Sequence, residues 1–500
     1  MQGKEKTLLF SIIEDPLFNR RLGIYRIAHV LRDEGLDVEV IEFADFWTLE
    51  QLQELWRQRY RYDIKFIGFS NLITNWPPVL EEFCGWIKKH YPAVKILFGS
   101  ASFTPFKSQY IDYYVRGFGE HAMVALLKWV SGNGTRPRFM VPSPDGKLTI
   151  DAINSYPAFP MSSLMVKYQD RDFIDPGEWL GIEFSRGCKF ECTFCNFPVL
   201  GVKGDYTRDA DDFRLQVQDA YDRFGVQNYL VSDETFNDRT EKITKFADVV
   251  ERLDFDMFFT GYIRGDLLVS RPRDREELLR MNFLGHYYGL ETFQKESARA
   301  VGKGMDGERL KTGLIDVKNY FQTHGSNRFR GEISLIIGLP YEPVESLNET
   351  KQWLLDNWQG QSFTAYPLEI SRGKSQKLSV IGQDPAKYGY RFGKPERQEK
   401  LERFIQRNNF NIKSISIGDF DEVMFWENDH MDFHDACVML GEWTKVRFSN
   451  GFKPGVYQLG NRLNTYLSVN DRLALTQNDL NQVRYNLTNV QAYINKKLSL

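Results

Sequence analysis

Strand and helix patterns alternate twice along this 500-residue chain, with a break between the two runs. In the first run, Thr7-Leu8-Leu9-Phe10-Ser11-Ile12-Ile13 reads as a strand covered on both faces, because it is short, apolar and rich in branched residues. A helix over Ile24 to Glu34 ends at Gly35, and Val38 to Phe43 is the next strand. Ile64 to Phe69 is the third strand, a helix through Trp86 follows, and Val94 to Phe98 is the fourth. A short strand at Asp112–Val115 precedes a helix opening near Glu120. Strands spaced by helices predict an α/β, doubly wound, Rossmann-like parallel sheet. Such sheets bind ligands beyond the carboxyl ends of their strands. Residues 131–175 are rich in Gly, Pro, Ser and Asp and predict a surface linker, with Lys147-Leu148-Thr149-Ile150 as a hairpin strand. The alternation restarts at Gly181. It predicts strands at 181–186, 227–232, 256–262, 285–290, 331–338 and 363–370, and helices at 209–224, 237–253, 273–282, 305–323 and 345–358. After Gly373 the pattern is mostly helical. The predicted organisation is 1–135, a linker over 136–175, a second α/β region over 176–372, and a helical C-terminal region over 373–500.

The second run opens on Cys188-Lys189-Phe190-Glu191-Cys192-Thr193-Phe194-Cys195, so three of the chain's five cysteines fall within eight residues. Three thiolates at this spacing suit a 4Fe–4S cluster with one iron left open. A structural zinc site wants a fourth Cys or His nearby, and none lies in the next twenty residues. The bland alternatives are three thiols in a loop or an incomplete zinc knuckle. Cys84 lies in an amphipathic helix pattern and reads as a buried thiol in a reducing compartment.

Net charge is −3, which gives no global electrostatic case for nucleic acid. The run Arg57-Gln58-Arg59-Tyr60-Arg61 reads as a solvated helix end. No stretch of eighteen apolar residues exists, and the start MQGKEKTLLF has no long apolar segment, so a cytoplasmic protein without membrane contact is expected.

The C-x3-C-x-aromatic-C element resembles that of the radical S-adenosylmethionine (SAM) superfamily, with Cys188, Cys192 and Cys195 as the cluster ligands and Phe194 as the aromatic. The resemblance implies a partial (β/α)6 barrel. It implies that SAM binds the open iron and that one electron cleaves it to a 5′-deoxyadenosyl radical. A flavodoxin- or ferredoxin-type donor would supply that electron, and the substrate would be a small molecule, a peptide or another class. A parallel barrel carries its chemistry at the carboxyl ends of its strands, where the cysteines, Asp233, Arg264 and Glu291 fall. Later segments follow the family's order. Ser232-Asp233-Glu234-Thr235-Phe236 stands where carboxylates meet SAM's ammonium, with helix capping by Ser232 or Asp233 as the alternative. Arg264-Gly265-Asp266 is similar to an arginine–aspartate pair near SAM, with a surface ion pair as the alternative. Gly289-Leu290-Glu291-Thr292 resembles the family's Gly-Leu-Glu-Ser, and Lys303-Gly304 follows. Ile336-Ile337-Gly338-Leu339-Pro340 matches the fifth-strand element, where Gly338 would admit a flat ring such as adenine. The resemblance spans roughly residues 178–370.

A Rossmann-like domain ahead of such a barrel looks like the cobalamin-binding class. Ser70-Asn71-Leu72 and Gly99 match that class's small-residue positions. Ser100 replaces its second glycine, and the loop from Glu14 to Gly23 has no histidine for cobalt. Gly117-Phe118-Gly119-Glu120 resembles the element that closes the domain. The favoured activity is a cobalamin-dependent methyltransferase acting on an unactivated carbon. The alternative is a cobalamin-independent radical SAM enzyme, performing cyclisation or rearrangement, with a vestigial first domain. A non-catalytic iron–sulfur module is a third reading. Asp429-His430-Met431-Asp432-Phe433-His434 places two imidazoles four residues apart, and reads as a solvated or substrate-facing helix rather than a metal site. Trp426 is expected in a helical segment that covers the substrate side.

Overall fold

The computed structural model describes all residues except 1–5, 13–18, 71–75, 101–107, 139, 143–146, 153–164, 196–205, 326–327, 372–378, 409–422, 454 and 457–476. The chain folds as two units, one of Met1–Gly181, Asp211–Val226 and Val483–Leu500, the other of Ile182–Ala210 and Gln227–Gln482.

In the first unit the apolar runs become β1 (Lys6–Ser11), β2 (Asp37–Ile41), β3 (Ile64–Ser70), β4 (Lys95–Ser100) and β5 (Tyr113–Arg116). Between them lie α1 (Leu22–Asp33), α2 (Leu49–Arg59) and α3 (Pro78–His90), and α4 (Glu120–Val130) follows. A hairpin of β6 (Met140–Pro142) and β7 (Leu148–Asp151) completes the sheet, in the order β2-β1-β3-β4-β5-β7-β6. All pairings are parallel except that hairpin. The strand order reverses at β1, which makes the carboxyl ends of β1 and β3 the place for a ligand crevice. Thr48 starts α2 with a capping box, accepting from Gln51 N while the Gln51 side chain accepts from Thr48 N.

One core packs Phe10, Ile67, Phe69 and Phe98 against Trp56, Leu80 and Phe83, and takes in Val490, Tyr493 and Ile494 of the helix Gln477–Leu498. That helix also brings Lys497 to Glu39, whose carboxylate accepts from Lys6, Arg59 and Lys497 at 3.0–3.3 Å. Burial works to raise this acid, but Lys497, Arg59 and Lys6 outweigh it and hold Glu39 down to about 2.

The second run of alternation becomes six parallel strands adjacent in chain order. They are β8 (Trp179–Ile182), β9 (Asn228–Val231), β10 (Phe258–Ile263), β11 (Phe283–Glu291), β12 (Arg330–Ile337) and β13 (Ser362–Pro367). The helices α5 (Ala210–Phe224), α6 (Thr240–Val250), α7 (Pro272–Arg280), α8 (Gly307–His324) and α9 (Val344–Asn357) link them, so the arrangement is a partial (β/α)6 barrel. Asp306 caps α8 by accepting from Glu308 N and Arg309 N. The region after β13 is mostly helical, with α10 (Val380–Gln383), α11 (Pro395–Asn408) and α12 (Phe433–Ser449). Among the described residues, no helix is long and apolar enough to cross a membrane.

Candidate functional site

The cysteines sit where β8 delivers the chain to the carboxyl end of the barrel. Leu180, Ile182 and Phe184 are buried and anchor the approach, while Cys188, Cys192 and Cys195 are half-buried. Gly187 turns the chain at φ +88°, a conformation that favours glycine. Thr193 pins the loop through all its polar groups. Its N–H donates to Val301 O at 3.4 Å, its hydroxyl to Ala300 O at 3.0 Å, and its carbonyl accepts from Ile381 N of α10 at 3.0 Å. Cys195 N donates to Cys192 O at 3.0 Å, and Cys188 Sγ lies 3.5 Å from Thr235 Oγ1. Phe194 is half-buried.

Charged groups gather around Cys192. Arg264 lies over the Phe190 ring at 3.8 Å and pairs with Asp266 at 2.5 Å. The pair is largely buried, so it is not the surface ion pair of the alternative reading. Lys303 donates to Gly289 O at 2.8 Å and stands 3.4 Å from Glu291 Oε1. Burial raises the Cys192 thiol, while Lys303 and Arg264 pull it down. Burial also raises Glu291, against Lys303 and Arg264.

The two carboxylates after β9 divide their work. Asp233 accepts from Phe184 N at 2.7 Å and from Ser185 Oγ at 2.5 Å, so it braces the strand that carries the cysteines. Burial lifts it to about 6 despite nearby Lys242. Glu234 accepts from Gly187 N at 3.1 Å, one residue before Cys188. Burial, with Glu183 and Asp233 adding like charge, pushes it up to about 7.

Gly338 has φ +89°, and its carbonyl accepts from Tyr390 OH at 2.7 Å. A Cβ there would lie 2.2 Å from the Trp426 ring. The side of this glycine on which a Cβ would project is taken by the protein's own Trp426 ring. Trp426 is fully buried, its Nε1 donates to Leu368 O at 2.7 Å, and it lies in a short strand rather than in a helix. Thr292 Oγ1 donates to Glu342 Oε1 at 2.6 Å.

At the carboxyl third of the strands, Ser232, Tyr262, Gly289, Ile336 and Tyr366 are each more accessible than their neighbours, and Tyr262 on a central strand is 45% exposed. These positions mark an opening along the strand ends. His430 and His434 do not share a helix. His430 is exposed ahead of α12, while His434 is buried, and Arg397 occupies the carboxylates of both Asp432 and Asp435.

In the first unit, Ser11, Ser70 and Gly99 pair in one row across the carboxyl ends of β1, β3 and β4. A Cβ on Gly99 would make only ordinary contacts, at 3.9 and 4.0 Å, so this row leaves room. Leu72 lies outside the described residues. On the core side, Trp76 meets Phe69 and Phe98 edge to face at 5.1 and 5.8 Å.

Sequence reasoning assigned no role to Thr193, Phe190 or Glu342. Thr193 lies inside the cysteine motif and Glu342 ends the fifth-strand element, so both were in view, but their partners are 107 and 50 residues away.

Residues 182–354 match the family model described as the Radical SAM superfamily. A search of curated protein sequences finds no match. Among solved structures, the chain is similar to the radical S-adenosylmethionine methyltransferase TsrM from Kitasatospora setae, solved with tryptophan substrate and the SAM analogue aza-SAM. Identity is 14% and the TM-score 0.60, over 76% of each chain. It is also similar to the cobalamin-dependent S-adenosylmethionine radical enzyme OxsB, solved with aqua-cobalamin and S-adenosylmethionine, at 14% identity and TM-score 0.60 over 98% of this chain and 71% of that one. These likenesses establish the fold, a Rossmann-like unit followed by the barrel.

Proposed function

We propose, from the match of residues 182–354 to the Radical SAM superfamily model, an enzyme that reductively cleaves SAM at a 4Fe–4S cluster held by Cys188, Cys192 and Cys195. The observation that carries this is the charge arrangement around Cys192. The donor set suits a cluster, since three thiols stand on one pinned loop beside two cations, Arg264 and Lys303, that offset part of the burial raising Cys192. A cluster held by these cysteines would supply the one-electron chemistry that splits SAM's sulfonium. The chain's own residues would orient the methionyl group. Glu234 and Glu291 suit its ammonium, and Arg264 its carboxylate. Gly338 and Phe194 would bound the site, with Asp233 bracing the cysteine strand from behind. A cytoplasmic setting accords with five free thiols, and a flavodoxin- or ferredoxin-type donor would supply the electron.

The finer reading is a cobalamin-dependent methyltransferase acting on an unactivated carbon. Support comes from the strand order of the first unit, from the uncrowded row of Ser70 and Gly99, and from the shared fold with TsrM and OxsB. The alternative, a cobalamin-independent enzyme with a vestigial first unit, draws on one observation. Phe69, Phe98 and Trp76 fill the core side of the strand ends, where a nucleotide tail would need space.

Anaerobic purification with cobalamin supplied, followed by metal analysis and a SAM-cleavage assay, tests both. Iron, cobalt and cleavage together are the expected result. Iron and cleavage without cobalt would move the assignment to the alternative, and iron without cleavage would defeat the SAM reading.

A further inference from the structure

Glu342 is a buried acid, 1% exposed, that the proposed chemistry does not use. Its Oε1 accepts from Thr292 Oγ1 at 2.6 Å, and its Oε2 has no hydrogen-bond partner among the described residues. One neutral hydroxyl cannot compensate a buried charge. Burial accordingly pushes this acid up to about 8, with Thr292 working the other way, so at neutral pH the group is a carboxylic acid. An apolar side chain of similar volume would fill the same space without that desolvation cost. The acid therefore calls for an explanation beyond packing.

Its partner supplies one. Thr292 directly follows Glu291, which holds φ +70°. That left-handed backbone is strained for a non-glycine residue and persists only where the surroundings hold it. Both flanks of Glu291 are held. Lys303 grips Gly289 O at 2.8 Å on one side. On the other, the Thr292 hydroxyl donates to Glu342 and accepts from Gln294 N at 2.8 Å, while the Gln294 side chain caps the next helix by accepting from Ser297 N.

We propose that Glu342 is a positioning residue which, through Thr292, holds Glu291 in the left-handed turn that keeps its carboxylate beside Lys303 and Cys192. The proposal rests on the SAM reading, because Glu291 is one of the acids assigned to SAM's ammonium. Without the clamp, Glu291 relaxes toward negative φ and its carboxylate leaves the site. The cysteine loop, which has its own anchors at Ala300, Val301 and Ile381, keeps its iron.

The test measures SAM affinity by anaerobic calorimetry, together with iron content, on cluster-loaded full-length protein. Glu342→Ala and Thr292→Val should each raise the SAM Kd about 5- to 30-fold, as expected for losing one buried hydrogen bond, with iron unchanged. Glu342→Gln keeps an acceptor for Thr292 and should stay within about 2-fold of the parent, since a neutral amide stands in for a neutral acid. In a Glu291→Gln background, Glu342→Ala should weaken SAM no further, because the two act in series. Parent-like affinity in both Glu342→Ala and Thr292→Val would overturn the proposal. So would equal weakening in Glu342→Gln and Glu342→Ala, or full additivity in the double variant. If Glu342→Ala does not fold, Thr292→Val, which keeps shape and loses only the hydroxyl, decides. Parent protein that holds iron but binds no SAM would instead defeat the SAM reading itself.

Discussion

Glu39 lies in a parallel sheet and Glu234 just beyond the end of one, and both have lost most of their water, yet they shift in opposite directions. Glu39 lies within β2 and meets three cations, so it is held down to about 2. Glu234 lies beyond the carboxyl end of β9, meets backbone N–H and two other acids, and is pushed up to about 7. The first arrangement satisfies a charge with charge and is complete without a ligand. The second leaves acids and bases partly unmatched around the cysteines, and two non-glycine residues there, Glu291 and Tyr341, have positive φ. Buried acids that are fully paired hold an architecture together. Acids raised by burial at strand ends are poised for something that arrives.

The hardest test of this contrast is cysteine replacement. Cys192→Ala should abolish iron and SAM cleavage completely, while Cys84→Ala, whose thiol is sealed in the core of the first unit, should change neither. Metal analysis after anaerobic reconstitution decides it, and loss of iron in Cys84→Ala would break the division. Next in size is Lys497→Ala. Removing one partner of a buried ion pair costs about 3–5 kcal/mol, so denaturant unfolding should shift markedly while iron content per folded molecule stays constant. A shift under about 1 kcal/mol would mean that Lys6 and Arg59 suffice to hold Glu39.

The smallest effect is in pH. The folded-state pKa of Glu39 lies below its unfolded value, so its stabilisation is present above about pH 4.5 and lost as pH falls toward 2. That of Glu234 is raised, so it costs stability as pH rises from about 4.5 to 7 and is flat above. Its anionic form appears only as pH passes about 7, and SAM affinity should rise several-fold between about pH 6 and 8. Glu234→Gln should flatten that rise, and Glu39→Gln should flatten acid unfolding without touching it.

Much of this was legible from local pattern. Apolar runs announced β1 to β5 and β8 to β13, since parallel strands covered on both faces must be continuously apolar. The cysteines announced themselves by spacing. What stayed hidden is what depends on chain separation. Nothing near Gly338 reveals that Trp426 fills its open side, and nothing near Thr292 reveals Glu342. The pair Asp233-Glu234 showed two carboxylates but not their division of labour, which Phe184, Ser185 and Gly187 decide from another strand. Arg59, in the run read as a solvated helix end, is buried against Glu39, and the same acid meets Lys497, 458 residues after it.

That last contact has a consequence for synthesis. The strands of the first unit's sheet are all synthesised once Asp151 is made, but Tyr493, Ile494 and Lys497, which close its core, come more than 300 residues later. At elongation speeds of about 5–20 residues per second, the gap is roughly 20–70 seconds. Throughout it Glu39 lacks Lys497, and apolar surface destined for that helix stays open. The barrel, although second in the chain, has all its strands made before that helix exists. The nascent chain therefore passes through a stage in which its later half is finished and its earlier half is waiting, and chaperone binding during translation should concentrate on residues 6–151.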